Sequence, residues 1–199
     1  MTYTKIPNLT RCDWVPPNDK IYTHYHDKEW GRPIKCEKEL FSKLIQEGQQ
    51  AGLSWSTVLH KRQNLLLAYD NFDPDILSGY DNSDYERLMT DPKIIRSKLK
   101  VNAAVFNAKI FIHMRDKEQI NFSDYLWGFI DYKPIQNNWY GSGDIPSHNS
   151  LSFSIAADLK KRGFKFVGPV IIYAFMQAVG MINDHTLGCF ANEVCKDLS

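Results

Sequence analysis

Apolar side chains recur along this chain at intervals of three and four, the period of a helix with one buried face. Leu40, Phe41, Leu44 and Ile45 form such a stripe in CEKELFSKLIQEGQQ. A second helix fits SWSTVLHKRQNLLLAYDNF, with Ser54 as N-cap and the DP at 73–74 following it. Ser83 and Glu86 have the spacing of a capping box around Tyr85, ahead of Leu88 and Met89. The longest periodic run is KLKVNAAVFNAKIFIHMRD, where Val101, Ala104, Val105, Ala108, Phe111 and Ile112 share a face. Ser123 is placed to start DYLWGFI, and SFSIAADLKKR and PVIIYAFMQAVG follow a polar, turn-rich passage at 131–150. Pro169 suits a first helical turn. Strand-like alternation is nowhere sustained, so the pattern predicts an all-α chain.

Composition adds limits. An apolar fraction of 43% with 5 Trp, 10 Tyr and 11 Phe is ample for a packed interior and argues against disorder. The 199 residues are enough for one sizeable domain or two small lobes sharing a core. Net charge is +1, so any anion-binding surface must come from local clustering. The opening MTYTKIPNLTRCDW lacks the apolar core of an export signal. The greasiest run, VGPVIIYAFMQAVGMI (167–182), is too short and interrupted for a membrane span. A reducing, cytoplasmic setting follows as the expectation, in which four cysteines serve as thiols or metal ligands.

Three groups of residues carry candidate chemistry. In HTLGC (185–189), a His and a Cys four apart would share one face of a helix, half of a tetrahedral metal site. The other half is available near the amino terminus, in Cys12 and either His24 or His26; Cys36 and Cys195 are competing donors. Four protein ligands leave no open position for a reacting water, so such an ion would be structural. The second group is EGQQAGLSW (47–55) with Trp14, Tyr22, Tyr25, Trp30 and Trp55. A carboxylate at a helix end among aromatic faces suits a planar, cationic ring with N–H groups on its edge. The third is LKKRGFKFVGPVIIY, a helix, a glycine-containing turn and a helix. Gly163 and Gly168 allow tight backbone where exposed N–H groups favour a phosphate, and Lys160, Lys161, Arg162 and Lys165 gather around it. That is a grip on a nucleic-acid backbone rather than on bases.

RCDWV, YHDKEWG, LFSKLIQEGQQAGLSWSTVLHKR, KKRGFKFVG and MQAVGMINDHTLGC together resemble the DNA-3-methyladenine glycosylase I family, within the helix–hairpin–helix glycosylases. The blocks lie between residues 11 and 189, nearly the whole chain. The resemblance implies an all-helical, two-lobed fold with the cleft between lobes. It also implies one structural zinc clasping the chain ends through Cys12, His26, His185 and Cys189, with no part for His24. It assigns base binding to Glu47, Trp14, Tyr22, Tyr25 and Trp55, with Glu47 also the catalytic candidate. Leu53 is the candidate wedge into the base stack, and Lys161, Arg162, Gly163, Lys165 and Gly168 the DNA contacts.

The implied reaction is hydrolysis of the N-glycosidic bond of 3-methyladenine in alkylated double-stranded DNA, releasing the free base and leaving an abasic site. No lysine stands in the slot to form a Schiff base, so a monofunctional enzyme is expected. Asp184, next to a candidate metal ligand in IND, is expected to orient a ligand or cap a helix rather than act directly. The rival from another class is a non-catalytic DNA-binding module of the same fold. A monomer is the default expectation.

Overall fold

The computed structural model describes residues 9–198, and the stretch read above for an export signal lies mostly outside them. The order of elements is α1 (Lys20–Lys28), α2 (Glu37–Gln49), α3 (Trp55–Ala68), α4 (Pro74–Leu77), α5 (Asn82–Thr90), α6 (Lys98–Asp116) and α7 (Phe122–Trp127). Then come β1 (Ile135–Gln136), α8 (Ser150–Lys161), α9 (Pro169–Ala178), β2 (Ile182–Asn183) and α10 (Phe190–Lys196). The helical period thus predicts the architecture. β1 and β2 are two-residue parallel strands, Ile135 opposite Ile182 and Gln136 opposite Asn183, too short to leave a period in the sequence.

Ser54 does cap α3, accepting from the Thr57 N–H, and Pro169 opens α9 behind Gly168. Two expected starts are wrong. Asp81, not Ser83, caps α5, in a reciprocal box with Asp84, and Asn121, not Ser123, caps α7. In both cases a short carboxylate or amide two residues earlier already reaches the free N–H groups, leaving the serine inside the first turn. The HTLGC segment is not helical either. It runs as loop and turn into α10, and Cys189 is that helix's N-cap.

α2 lies at the centre, in contact with α3, α4, α6, α7 and α9. Its Leu40, Phe41 and Leu44 are buried with Phe111 of α6, Ile155 and Leu159 of α8, and Ile172, Phe175 and Met176 of α9. Each such side chain contributes about 1.5–3 kcal/mol by leaving water. This packing sets the end of α2 beside α9, which is where the cavity described next opens. A second, smaller cluster joins Cys12, Tyr25, Trp30, Leu59, Ala178, Cys189 and Ala191. There the two ends of the described chain meet, with the Phe190 N–H donating to the Thr10 carbonyl at 3.0 Å. Among the described residues no helix is long and apolar enough to cross a membrane.

Candidate active site

Between the end of α2 and the small cluster lies a cavity of about 280 Å³. All five residues predicted for base binding line it: Trp14, Tyr22, Tyr25, Glu47 and Trp55. Their rings stand in two groups. Trp14 meets Tyr22 edge-on at 5.7 Å and Trp30 at 4.9 Å, while Tyr25 tilts against Trp55 at 5.3 Å. Trp30, noted in the sequence among the aromatics without a role, is part of this wall. Gln50, Ser142, Ile145, Ala174 and Gln177 complete the lining. Of these, Ala174 and Gln177 come from α9, and Ser142 and Ile145 from the 137–149 segment; only Gln177 falls in a family-like block, MQAVGMINDHTLGC, which gives it no role.

Glu47 occupies the last turn of α2, 2% exposed. Among the described residues no donor lies within hydrogen-bond distance of its carboxyl group. Burial therefore pushes its pKa up from 4.5 to about 8, against a smaller downward pull from Lys43. Tyr25 is raised well above the ordinary tyrosine value by burial first and by the nearby carboxylates of Glu47 and Glu29 after it. Behind it, Arg62 makes a two-pronged ion pair with Glu29 at 2.7 Å per arm, and Lys43 joins at 3.1 Å. Burial pushes Glu29 up, but those two cations outweigh it and hold it below the usual range. The neighbouring acid is thus fully partnered, and Glu47 is the one whose bonding capacity is left for a guest.

The segment after α2 is held by Lys100 of α6, which is buried and donates to the carbonyls of Gln49 and Ala51 at 2.7 and 2.9 Å. These bonds cap the end of α2 and fix the turn that carries Leu53, 39% exposed beside the cavity-lining Trp55.

Against one side of this aromatic wall sit Cys12, His26, His185 and Cys189, all buried, with their ligand atoms within 4.8 Å of one another. His26, not His24, belongs to this set, and Cys36 and Cys195 lie outside it. The Cys189 sulfur is 3.4 Å from His26 Nε2 and 3.6 Å from His185 Nδ1, and Cys12 Sγ is 3.6 Å from His185 Nδ1. The other ring nitrogens are occupied by acceptors: His26 Nδ1 donates to Asp27 at 2.8 Å, and His185 Nε2 to the Trp30 carbonyl at 3.1 Å. Asp27 is itself fixed by Arg11. The protons are therefore on the outer nitrogens, and the inner ones face the sulfurs with free lone pairs. Cys12 is the thiol held down, by the hydrogen bond from Cys189 first and that from the Thr186 N–H after it, against the upward push of burial. The Thr186 and Ala191 N–H groups point at the two sulfurs, at 3.4 Å each. This cluster can hold a metal ion. Gly31, at φ +77°, is needed beside it, because a Cβ there would stand 3.0 Å from the His185 ring.

The hairpin between α8 and α9 is as predicted in form. Gly163 has φ +101°, and Asn107 of α6, buried, bonds both the N–H and the carbonyl of Lys165 at 2.8 and 3.0 Å. The N–H groups of Phe166, Val167 and Gly168 have no acceptor among the described residues. The predicted cation cluster divides, however. Lys160, Lys161 and Lys165 are exposed, whereas Arg162 pairs with Glu118 at 2.8 Å and Asp158 at 3.2 Å and lies over the Tyr125 ring. Its guanidinium is thus paired with two carboxylates of the protein.

Asp184 is buried and caps no helix. One of its oxygens accepts from Asn137 Nδ2 and Trp139 Nε1, the other from the Tyr173 hydroxyl and Gln177 Nε2, all at 2.7 Å.

Comparison with known proteins agrees with this geometry. The family model described as methyladenine glycosylase matches residues 14–192. DNA-3-methyladenine glycosylase 1 of Escherichia coli (strain K12) is 43% identical over 181 residues, covering 91% of this chain and 96% of that protein. A crystal structure of 3-methyladenine DNA glycosylase I superposes with a TM-score of 0.87 at 44% identity, over 91% of this chain and 98% of the other. A Staphylococcus aureus structure, described as the basis of 3-methyladenine recognition by that enzyme, gives 0.84 at 33% identity over 88% and 93%. The chain belongs to the methyladenine glycosylase family.

Proposed function

We propose that this protein is a monofunctional DNA glycosylase that hydrolyses the N-glycosidic bond of 3-methyladenine in alkylated double-stranded DNA. The observation that carries this is the aromatic-walled cavity with a buried, unpartnered Glu47 carboxyl on its wall. A base attached to DNA reaches such a cavity only when its nucleotide is turned out of the stack. Methylation at N3 leaves the attached adenine ring positively charged, and ring faces attract cations. Trp14 and Trp55 bracket the ring, and Tyr22 and Tyr25 position it. Glu47 accepts from the adenine edge and disfavours guanine, whose exocyclic oxygen would face the carboxylate. With its pKa near 8, free Glu47 keeps its proton at neutral pH and releases it when the cationic ring arrives.

Because the base departs as a neutral molecule, the leaving group needs no general acid, unlike an ordinary glycoside. What the chain supplies is extrusion of the nucleotide, a hold on the base and a place for water. Leu53 is the wedge entering the vacated stack, held in place by Lys100. Lys161, Lys165 and the free backbone N–H groups ending at Gly168, in the turn that Gly163 allows, take the phosphates, so binding is insensitive to sequence. Lysines are absent from the residues lining the cavity, in keeping with hydrolysis without a Schiff base.

Cys12, His26, His185 and Cys189 are assigned to one structural zinc. Tetrahedral bonds of about 2.3 Å to sulfur and about 2.0 Å to nitrogen set S···N edges of about 3.6 Å. Three of the four S···N edges in the structure are 3.4–3.6 Å. Asp27 and the Trp30 carbonyl orient the two imidazoles as outer partners of a metal site do. When bound, the ion supplies a cross-link between chain ends and no chemistry. We read residues 1–199 as one domain of two lobes meeting at the cavity, acting as a cytoplasmic monomer. The test is incubation with methylated duplex DNA and chromatography of the released bases. Free 3-methyladenine is the expected product. None from a folded, metal-loaded protein would favour the binding-module alternative.

A further inference from the structure

We propose that Gln177 orients the water that attacks the sugar, and that Asp184 is the positioning residue that fixes and polarises it for this task. The inference rests on the glycosylase reading and adds to it the group that handles water.

Asp184 cannot take that part itself. Its two oxygens already accept four hydrogen bonds at 2.7 Å, which fills the acceptor sites of a carboxylate, and the side chain is fully buried. One of its four donors is Gln177 Nε2, and Gln177 lines the cavity. A carboxylate accepts and does not donate, so the amide can stand only one way round, with NH2 toward Asp184 and Oε1 turned away from it. Among the described residues no donor reaches Oε1. It is an acceptor of fixed orientation on the cavity wall. The hydrogen bond from its amide to an anion draws charge toward Oε1 and makes it a better acceptor.

Two of the acceptors on the cavity wall thus come from different elements, Glu47 at the end of α2 and Gln177 on α9. They cannot both serve the base edge equally, and the fold separates them. α9 starts at Pro169, directly behind the hairpin N–H groups that take the phosphates. Gln177 thus belongs to the same rigid piece that holds the sugar–phosphate backbone, while Glu47 faces the base from the opposite helix. In the step proposed, the C1′–N9 bond breaks and its electron pair goes to N9, neutralising the methylated ring. The sugar is left as an oxocarbenium ion. A water held by its O–H on Gln177 Oε1 adds a lone pair to C1′, and the surplus proton passes to solvent. The products are neutral 3-methyladenine, the abasic sugar and one proton. A weakly basic amide oxygen is enough here because water attacks a full cation, so aim matters more than proton affinity.

The test is Gln177→Met, close in length but without the acceptor, compared with wild type in three measurements. These are single-turnover release of 3-methyladenine from methylated duplex, affinity for the free base, and the ratio of methanol to water adducts at C1′ in dilute methanol. Expected are release slower by about 10–100-fold, unchanged affinity for the base, and a higher methanol share as the positioned water is lost. Asp184→Asn, confirmed to keep its metal content, shifts the same measurements in the same direction. If Gln177→Met does not fold, Gln177→Asn, which draws the amide back by one methylene, takes its place. Wild-type release rates and adduct ratios in the variants, or a fall in base affinity that accounts for the lost rate, would overturn the proposal. Absence of release from wild type would instead strike the glycosylase reading itself.

Discussion

Replacing Glu47 by Gln should stabilise the protein in alkali while disabling the cavity. Glu47 is 2% exposed, without a donor among the described residues, and its carboxyl is carried from 4.5 to about 8 chiefly by burial. The folded state therefore binds a proton that the unfolded chain has already lost between those values. Stability contributed at this position is full below about pH 4.5 and falls as pH rises to about 8, where it levels off. At 1.36 kcal/mol for each tenfold change in proton affinity, the loss is on the order of 5 kcal/mol for a group so deeply buried. Gln carries no such charge. Urea unfolding of both proteins at pH 5, 7 and 9 reads the difference. The variant should match wild type within about 1 kcal/mol at pH 5 and exceed it by several kcal/mol at pH 9. A gap that does not change with pH would mean that the carboxylate is already satisfied inside the protein, and the reasoning about a bonding capacity reserved for a guest would fail. This is the trade of stability for function expected where a site holds an unpartnered ionisable group.

Further outcomes concern the ion and the hairpin. Metal analysis should find one zinc per chain, and Cys189→Ser or exhaustive chelation should lower the melting temperature sharply, since the cluster joins the two ends of the described chain; an unchanged melting temperature after complete zinc removal would refute the clasp. Lys161→Ala with Lys165→Ala should weaken binding to any duplex and reduce the slope of log affinity against log salt by about 2, measured by fluorescence anisotropy. Arg162→Ala should leave that slope nearly unaltered and cost folding stability instead, because its partners are Glu118 and Asp158.

Much of this molecule is legible in its sequence, and the exceptions have physical causes. α6 spans Lys98–Asp116, as its apolar period indicates, because one face of a long helix must be buried. Val105 and Ile112, at the margin of that face, are only half-buried. The starts of α5 and α7 are misplaced because Asp81 and Asn121 compete with Ser83 and Ser123 for the same N–H groups, and the earlier residue wins by geometry. Four-residue spacing in HTLGC brings His185 and Cys189 together, but through a turn rather than a helix; a metal site constrains atoms, not secondary structure. The base-binding candidates follow from family-like blocks, whereas Ser142, Ile145 and Ala174 reach the cavity from elements far away in sequence with no pattern of their own, and Gln177 sits in such a block without anything there to mark it as a cavity residue. The pairing of Arg162 is not legible because Glu118, 44 residues away, enters only through folding. The IND sequence holds a buried carboxylate, but not the four donors around it.

The central claim is that the cavity binds one damaged base through ring faces and a single acid. Calorimetric titration of the protein with free 3-methyladenine tests it directly. The account predicts saturable binding of one base per chain, weakened by about 1–3 kcal/mol in Trp55→Ala and further in Glu47→Gln, with unmodified adenine bound less tightly. No detectable binding to the folded wild-type protein, or equal binding in Glu47→Gln, would contradict it.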